Sequence, residues 1–567
     1  MRSLDRNAIL FWGPSILYGF LAWWFGRGWY FHFDDWTFVG SRREVLVDSG
    51  FADFVLLPHN EHLMAGYAAW HHAMAETFRL DSTAPWTFAA IAVTIVVARI
   101  ARSGMVRIGV GATSAAIVAP ILIIWAPSRW ALVWPPETVF TLVTGLVLAQ
   151  LLLVTHDDPV GRRDVGGALV GTLAMVMHSA ASIGGIVVVG SLLIRRRFVA
   201  ALVASTPLLI VGLWLVTFGR RDSVWFVPPG DIDPRTMFTS PVTPRSALEF
   251  FVSVLSTPLG WLVGGPLGAV IVVALVIAGL RASRSGDRLQ RALASALTAW
   301  AALLLVALTV GRAQYYERAP GIAVAGRYAV SLTLLVLPVV ALAIQSAAER
   351  ASSQGRSRTV TGTAAVLGSL VVVLNVVGSR HHLDEFRRAS APIQPMLTEL
   401  AGHPRLDDLP GETGFLGPFV DLNVEHLRRL RDDRLIDARS DPSSDEYLNQ
   451  QARYFVRGEP SATGDRPAVL ELADGTTAES DCTVVALDDD GFTRVTVTAT
   501  PELTPRAVSI SDGAALAGIR AIRDGRRSSR SQPSLDTGPV ELRVLVDAGI
   551  ATELEFDAPA EICSIES

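Results

Sequence analysis

The 567-residue sequence predicts an all-α polytopic membrane protein of about eleven transmembrane helices, followed by an extracytoplasmic α+β domain containing a small β-sandwich. Three observations predict it. Half of the residues are hydrophobic and the mean hydropathy is +0.37, too apolar for an ordinary soluble chain. Apolar runs of roughly 18 residues, the length a helix needs to cross a bilayer, recur through residues 1–379. Charge then divides the chain: 29 arginines stand against 20 acidic residues in 1–379, and 20 against 34 in 380–567. No lysine occurs, so every strong base is an arginine.

Spans are predicted at 8–25, 86–100, 107–125, 138–154, a compact double segment 166–194, 198–217, 265–280, 291–310, 328–346 and 360–377. The first run follows a basic lead, carries Trp23 and Trp24 and lacks a small-residue exit, so it stays as a span and is not a cleaved signal. Arginine gathers at 99–107, 162–163, 195–197, 281–291 and 350–358. The positive-inside rule puts all five clusters beside Arg2 and Arg6 if 166–194 crosses twice, turning near His178-Ser179-Ala180. Roughly 29 residues are short for two crossings at ~1.5 Å per residue, so two short, re-entrant helices are expected there. The N-terminus is then cytoplasmic and the tail extracytoplasmic, in the plasma membrane. The extracytoplasmic loops are 26–85, 126–137, 218–264 and 311–327.

Loop 26–85 carries four arginines and eight acids. Within it Leu63, Tyr67, Trp70, Met74 and Phe78 recur at helical spacing and predict a helix lying along the membrane surface; 246–262 reads the same way. The tail is expected to be helical over 380–440, chiefly at 384–400 and 424–435. Over 465–567 it becomes β-rich, with strands at 482–487, 492–498, 540–546 and 552–556. Outside the cytoplasm, the only two cysteines, Cys482 and Cys563, would form a disulfide; inside it they would be free thiols.

Several function classes drop out. The cytoplasmic connections are too short for a nucleotide-binding domain, there is no Gly-rich phosphate loop, and Gly109-Val110-Gly111 does not extend to a dinucleotide fingerprint. ATP-driven transport by this chain alone and nucleotide-sugar chemistry are therefore excluded, and no nucleic-acid partner is expected. Group transfer on the outer face would need a donor delivered through the lipid.

Three clusters carry chemistry. Asp34 and Asp35 stand among Phe31, Phe33 and Trp36, where a carboxylate can take a proton from an acceptor hydroxyl; the plainer alternative is a solvated acidic helix cap. His59 and His62, in Pro58-His59-Asn60-Glu61-His62, could join Asp35 around a divalent cation such as Mg or Mn, position an acceptor, or simply cap a helix. Arg312, Tyr315, Tyr316, Glu317, Arg318 and Arg327-Tyr328 offer guanidinium forks for a phosphate, against the alternative of snorkelling and an aromatic belt. Trp130 and Trp134 read as belt residues, ahead of the helix start Pro135-Pro136-Glu137.

Together these features resemble the GT-C superfamily of integral membrane glycosyltransferases, which includes protein O-mannosyltransferases and lipid A aminoarabinose transferases. The likeness rests on Phe31-His32-Phe33-Asp34-Asp35-Trp36 opening a long first outer loop, on Pro58-His59-Asn60-Glu61-His62 leading into an interfacial helix, and on Gly326-Arg327-Tyr328 heading a late span. It covers 1–379, is matched in the tail only by position, and looks closest to actinobacterial members with an extracytoplasmic C-terminal domain. The resemblance implies that Asp34 or Asp35 is the catalytic base or helps hold a metal, and that Arg327 contacts the donor phosphate. Tyr328, His59, Asn60, Glu61 and His62 would complete the substrate site. The implied donor is a polyprenyl-phosphate or polyprenyl-diphosphate sugar, and the acceptor a glycan, lipid or protein of the cell envelope. Alternatives from other classes are a lipid or glycan flippase and a non-catalytic envelope scaffold. Apart from His178, no acid or base stands at the centre of a span, where a transporter normally places its coupling groups.

Overall fold

The computed structural model describes residues 5–31, 34–59, 62–219, 241–316, 326–354, 357–404, 406–408, 422–441 and 444, together with eleven β-strands between 456 and 566. The chain divides into two units, 1–391 with 415–422, and 392–414 with 423–567.

In the first unit α1 (Arg6–Gly26) leads into four short helices, α2 (Asp34–Val39), α3 (Ser41–Ser49), α4 (Phe51–Leu56) and α5 (Ala65–Phe78). Then follow α6 (Ala84–Arg107), α7 (Ala112–Val118), α8 (Pro135–Val154), α9 (Arg162–Met177), α10 (Ala181–Ile194) and α11 (Phe198–Thr217). The last set is α12 (Pro244–Ser256), α13 (Gly260–Val263), α14 (Gly265–Ser283), α15 (Arg288–Arg312), α16 (Gly326–Ser353) and α17 (Ser357–Ser390). Among the described residues eight helices are long and apolar enough to cross a membrane: α1, α6, α8, α11, α14, α15, α16 and the run that starts at Val366 in α17. The chain is a multi-pass membrane protein.

The other stretches expected to cross fold as shorter elements. Segment 107–125 is not one helix, because α7 passes into 3-10 turns at Ala119–Ile124 and Ala126–Leu132, each with a proline at its start. Proline there removes a backbone donor and obstructs the preceding turn. Segment 166–194 forms α9 and α10, of 16 and 14 residues, around the turn at His178-Ser179-Ala180. Arginines clamp the far end of this pair. Arg195 donates to the His156 carbonyl at 2.6 Å and to Asp157 at 2.7 Å. Arg197 donates to the carbonyls of Val154 and His156 at 3.0 and 2.9 Å and lies 3.3 Å from the buried Asp164.

Helices α8 and α16 form the centre, each with 72% of its span enclosed by protein. The Thr144 and Ser331 hydroxyls join them at 2.9 Å. Close packing around them relies on small residues, as expected where lipid supplies no hydrophobic drive for helices to associate. Gly145 of α8 lies against Val97 of α6, Gly279 of α14 against Val339 of α16, and Gly184 of α10 against Trp300 of α15. Helix α1 buries Ser15, Gly19, Ala22 and Gly26 while Ile9, Trp12, Ile16 and Phe20 face outward. On α5 the enclosed face differs from the expected stripe: Tyr67, Ala68, His71 and Ala75 are buried, and Phe78 is exposed.

The helical stretch expected at 384–400 is interrupted. Asp384 pairs with Arg380 and Arg387 on α17, which continues past residue 380 to Ser390. Pro392 ends it, since the residue before a proline avoids the helical region. In the second unit α18 (Ile393–Gly402) buries Ile393, Leu397 and Leu400, and α19 (Val424–Asp432) buries Val424, Leu427 and Leu430, with Asn423 capping its start. Beyond them lie two antiparallel sheets. One contains β1 (Val456–Pro460), β9 (Val540–Val544), β6 (Arg506–Ile510), β11 (Ala560–Glu566) and β4 (Thr483–Val485), in that order. The other runs β3 (Thr477–Ala478), β2 (Leu470–Leu472), β5 (Thr493–Thr498), β10 (Ala551–Phe556), β7 (Leu516–Arg523) and β8 (Arg526–Arg527). Cys563 lies opposite Ser509 on β11; Cys482 is outside the described residues, and so is the expected disulfide.

The tight glycine contacts give a direct test of this packing. A Cβ on Gly184 would sit 2.6 Å from both Trp300 and Val147, whereas one on Gly190 of the same helix meets nothing within 4 Å. Gly184→Val should lower thermal stability in detergent by about 1–3 kcal/mol or more through overpacking. Gly190→Ala should leave it unchanged or raise it by a few tenths up to about 1 kcal/mol.

Candidate active site

The site begins with the way loop 26–85 is fastened. The Trp29 indole donates to Thr87 Oγ1 at 2.9 Å, and Thr83 Oγ1 donates back to the Trp29 carbonyl at 3.1 Å. The Tyr30 amide donates to Ser390 Oγ at 3.0 Å, and the Trp36 indole to the Phe31 carbonyl at 3.3 Å. Edge-on contacts of Phe31 with Trp29, Tyr30, Trp36 and Trp86 fill the space between. Buried Arg42 donates to the carbonyls of Phe54 and Leu57 at 2.8 and 2.7 Å and ties α3 to the end of α4.

This frame presents α2, whose first turn is Asp34-Asp35. Consecutive helical residues diverge by about 100°. The two carboxylates accordingly part company. Asp35 is 1% exposed and faces equally buried His71, with Oδ1 3.7 Å from Nε2. Burial pushes the His71 imidazole down to about 3, and burial followed by the charges of Asp35 and Asp34 raises the Tyr67 phenol. Asp34 instead lines a cavity of about 550 Å³, its Oδ2 4.0 Å from His59 Nε2.

His59 and His62 exchange backbone hydrogen bonds of 2.9 Å in both directions, a bridge closed through Asn60 and Glu61, which lie outside the described residues. The His59 ring leans on Phe38, 4.8 Å between centroids. His62 turns the other way, to the α9–α10 turn: Nδ1 lies 3.2 Å from Ser179 Oγ, and the ring lies 4.6 Å from that of His178. Leu63 and Ser179 join the two segments further, with Ser179 N donating to the Leu63 carbonyl at 2.9 Å. Burial first, then Arg312, His59 and Arg327, push His62 down to about 4.

Arg327, Tyr328 and Arg312 line the same cavity as Asp34, His59, His62 and His178. The Arg327 guanidinium lies 5.1 Å from the Tyr328 ring and 3.3 Å from Glu137 Oε1 at the start of α8. Glu137 is fully buried, and Gly326 is what admits it, because a Cβ at 326 would collide with the Glu137 carboxylate. Arg312 sits at the end of α15 beside Tyr315, and Tyr316 is 3.1 Å from Ser253 through its hydroxyl. Below this polar rim the cavity wall is apolar: Phe140, Val143, Ile183, Trp300, Leu304 and Leu308. From Arg312 down to Trp300 this wall follows α15 for roughly 18 Å.

The expected metal set does not assemble. Asp35 is turned to His71, His62 to Ser179, and only His59 stays near a carboxylate, that of Asp34. Among the described residues the ligand atoms close enough for one ion are those of His381, His382 and Glu385 on α17. Glu317 and Arg318 lie outside the described residues. Sequence reasoning missed Glu137 as the partner of Arg327; an acid in the first turn of a span, after two prolines, was the available signal. Trp130, expected in an aromatic belt, packs against Trp134 and Phe386.

No protein-family profile matches this chain, and no curated protein matches it. Among solved structures it is similar to ArnT from Cupriavidus metallidurans, crystallised with undecaprenyl phosphate, at 13% identity and a TM-score of 0.45, covering 80% of this chain and 92% of that one. A likeness that distant assigns neither a family nor a site.

The His62 environment predicts a pH effect. Its folded-state pKa of about 4 lies below the ordinary 6.5, so the stability it contributes is present above about 6.5 and is lost as pH falls toward 4. Protection of peptides spanning 57–66 and 176–183 against hydrogen exchange, relative to the intrinsic rate at each pH, should therefore fall between pH 6.5 and 4, and His62→Gln should weaken that dependence.

Proposed function

We propose that this chain is a membrane glycosyltransferase that moves a sugar from a polyprenyl-phosphate donor to a cell-envelope acceptor on the outer face of the plasma membrane. One observation carries the reading. A single cavity offers a carboxylate, Asp34, and two guanidiniums, Arg312 and Arg327, above an apolar wall that runs down α15. That combination suits a ligand with a phosphate head and a hydrocarbon tail beside an acceptor hydroxyl.

In this reaction the acceptor hydroxyl gives its proton to Asp34 as its oxygen bonds to the anomeric carbon. The bond from that carbon to the phosphate oxygen breaks, and the electron pair leaves with the polyprenyl phosphate. One displacement inverts the anomeric centre. The leaving group gains a negative charge, which Arg327 and Arg312 stabilise. His59 steadies Asp34 from 4.0 Å, and Glu137 holds Arg327 in place. Asp35, sealed against His71, supports the α2–α5 contact and does not reach the substrate in this reading.

Labelled polyprenyl-phosphate sugar incubated with membranes tests the proposal. Asp34→Asn should reduce transfer by about 10²- to 10⁴-fold, the range for removing a general base, with the protein still folded. Asp35→Asn should act mainly through stability, leaving a smaller loss of turnover per folded molecule. Equal turnover for wild type and Asp34→Asn, or no transfer or release of sugar from any lipid donor, would sink the reading.

A further inference from the structure

We propose that His178 is an uncharged hydrogen-bond donor to the phosphate head of the lipid ligand, held in one tautomer by the α9–α10 turn. The inference rests on the phosphate-lipid reading of the cavity and adds to it a ligand contact from an element outside loop 26–85 and the arginine rim.

The tautomer follows from one bond. The Ala180 backbone N–H donates to His178 Nδ1 at 3.0 Å, so Nδ1 must carry its lone pair. The ring proton is therefore on Nε2. Protonating Nδ1 as well would break the contact that closes the turn between α9 and α10. Phe140, at 4.5 Å, and His62, at 4.6 Å, fix the plane of the ring. His178 is 2% exposed, yet it lines the cavity with Arg312 and Arg327. No other hydrogen bond of its side chain is found among the described residues. Burial, then His62, His59, Arg327 and Arg312, lower its basicity well below that of a free imidazole, so the ring stays neutral as a donor beside two cations.

The donor suits phosphate for a physical reason. A third positive group beside Arg312 and Arg327 would repel both, whereas a neutral N–H adds a directed contact without that repulsion. Two arginines give attraction; a fixed N–H adds a preferred orientation of the phosphate oxygens relative to the apolar wall.

Binding of farnesyl monophosphate to the purified full-length protein in detergent separates this role from a structural one. Asparagine can accept the Ala180 N–H through Oδ1, as in an Asx turn, and still donate through its amide. Aspartate keeps the acceptor and loses the donor; alanine loses both. His178→Asn is expected to bind within about threefold of wild type, and His178→Asp and His178→Ala about 10- to 100-fold more weakly, the range for a lost hydrogen bond to a charged group. The inference is overturned if His178→Ala binds like wild type, or if His178→Asn with an unchanged unfolding temperature binds as poorly as His178→Ala. Should His178→Ala fail to fold, equal affinity of the Asn and Asp variants overturns it. Wild type that binds no farnesyl monophosphate overturns the phosphate-lipid reading and this inference together. Inorganic phosphate binding as tightly as farnesyl monophosphate, with the same dependence on residue 178, overturns the lipid as the source of the phosphate.

Discussion

The ion pair between Arg327 and Glu137 is the constraint on which the arrangement turns. It joins the first turns of α8 and α16, the two most enclosed spans, and Glu137 has no exposure to solvent. Removing one member of such a pair strands a buried charge, at a cost of about 3–5 kcal/mol. The pair thereby sets the height of α8 against α16. At that height Pro136, Phe140, Val143 and Thr144, one face of α8, meet Tyr328 and Ser331 of α16 in a common wall. Gly326 follows from the same requirement, because only a residue without a side chain leaves room for the Glu137 carboxylate.

The opposite wall depends on two distant fastenings. Loop 26–85 is held at its aromatic base by Thr83, Thr87 and Ser390, which lets the short helix α2 aim one acid at the cavity. The α9–α10 turn is held from its far end by Arg195 and Arg197, some three to four helical turns away, and from its near end by Ser179 against Leu63. The two meet through His62 and His178. Burial lowers the basicity of both imidazoles, which line the cavity with Asp34 and the two arginines.

Much of the fold was legible because bilayer length and arginine placement are strong signals. The compact 166–194 pair and its turn at His178 could be read from a length too short for two full crossings. The interruption of 107–125 could not, because Pro120 sits in a run whose hydropathy alone resembles a span. Hydropathy also hid the end of α17, which runs on through a polar stretch carrying the Asp384 pairs with Arg380 and Arg387 and stops at Ser390, before Pro392. In the site, Asp34, His59, His62, Arg312, Arg327 and Tyr328 were picked from sequence and share one cavity. The division of labour within Asp34-Asp35 was hidden, since it depends on which face of a single helical turn the aromatic base presents. The pairing of Glu137 was hidden too, as its partner is 190 residues away.

Glu137 also bears on how the arginines would work in the proposed transfer. A polyprenyl-phosphate sugar carries one negative charge on its phosphodiester, and the departing phosphate monoester carries up to two. Interactions speed a reaction only where they strengthen on the way to the transition state. Two guanidiniums attract the singly charged donor and attract the doubly charged leaving group more strongly. Glu137, 3.3 Å away, offsets part of the charge of Arg327 towards donor and leaving group alike, and holds the guanidinium in one place. The second charge then appears on the bridging oxygen during bond cleavage, when Arg327 and Arg312 are already in position and need not reorganise. The buried carboxylate thus trades part of the attraction of Arg327 for phosphate, at every stage, for a guanidinium fixed where the second charge develops.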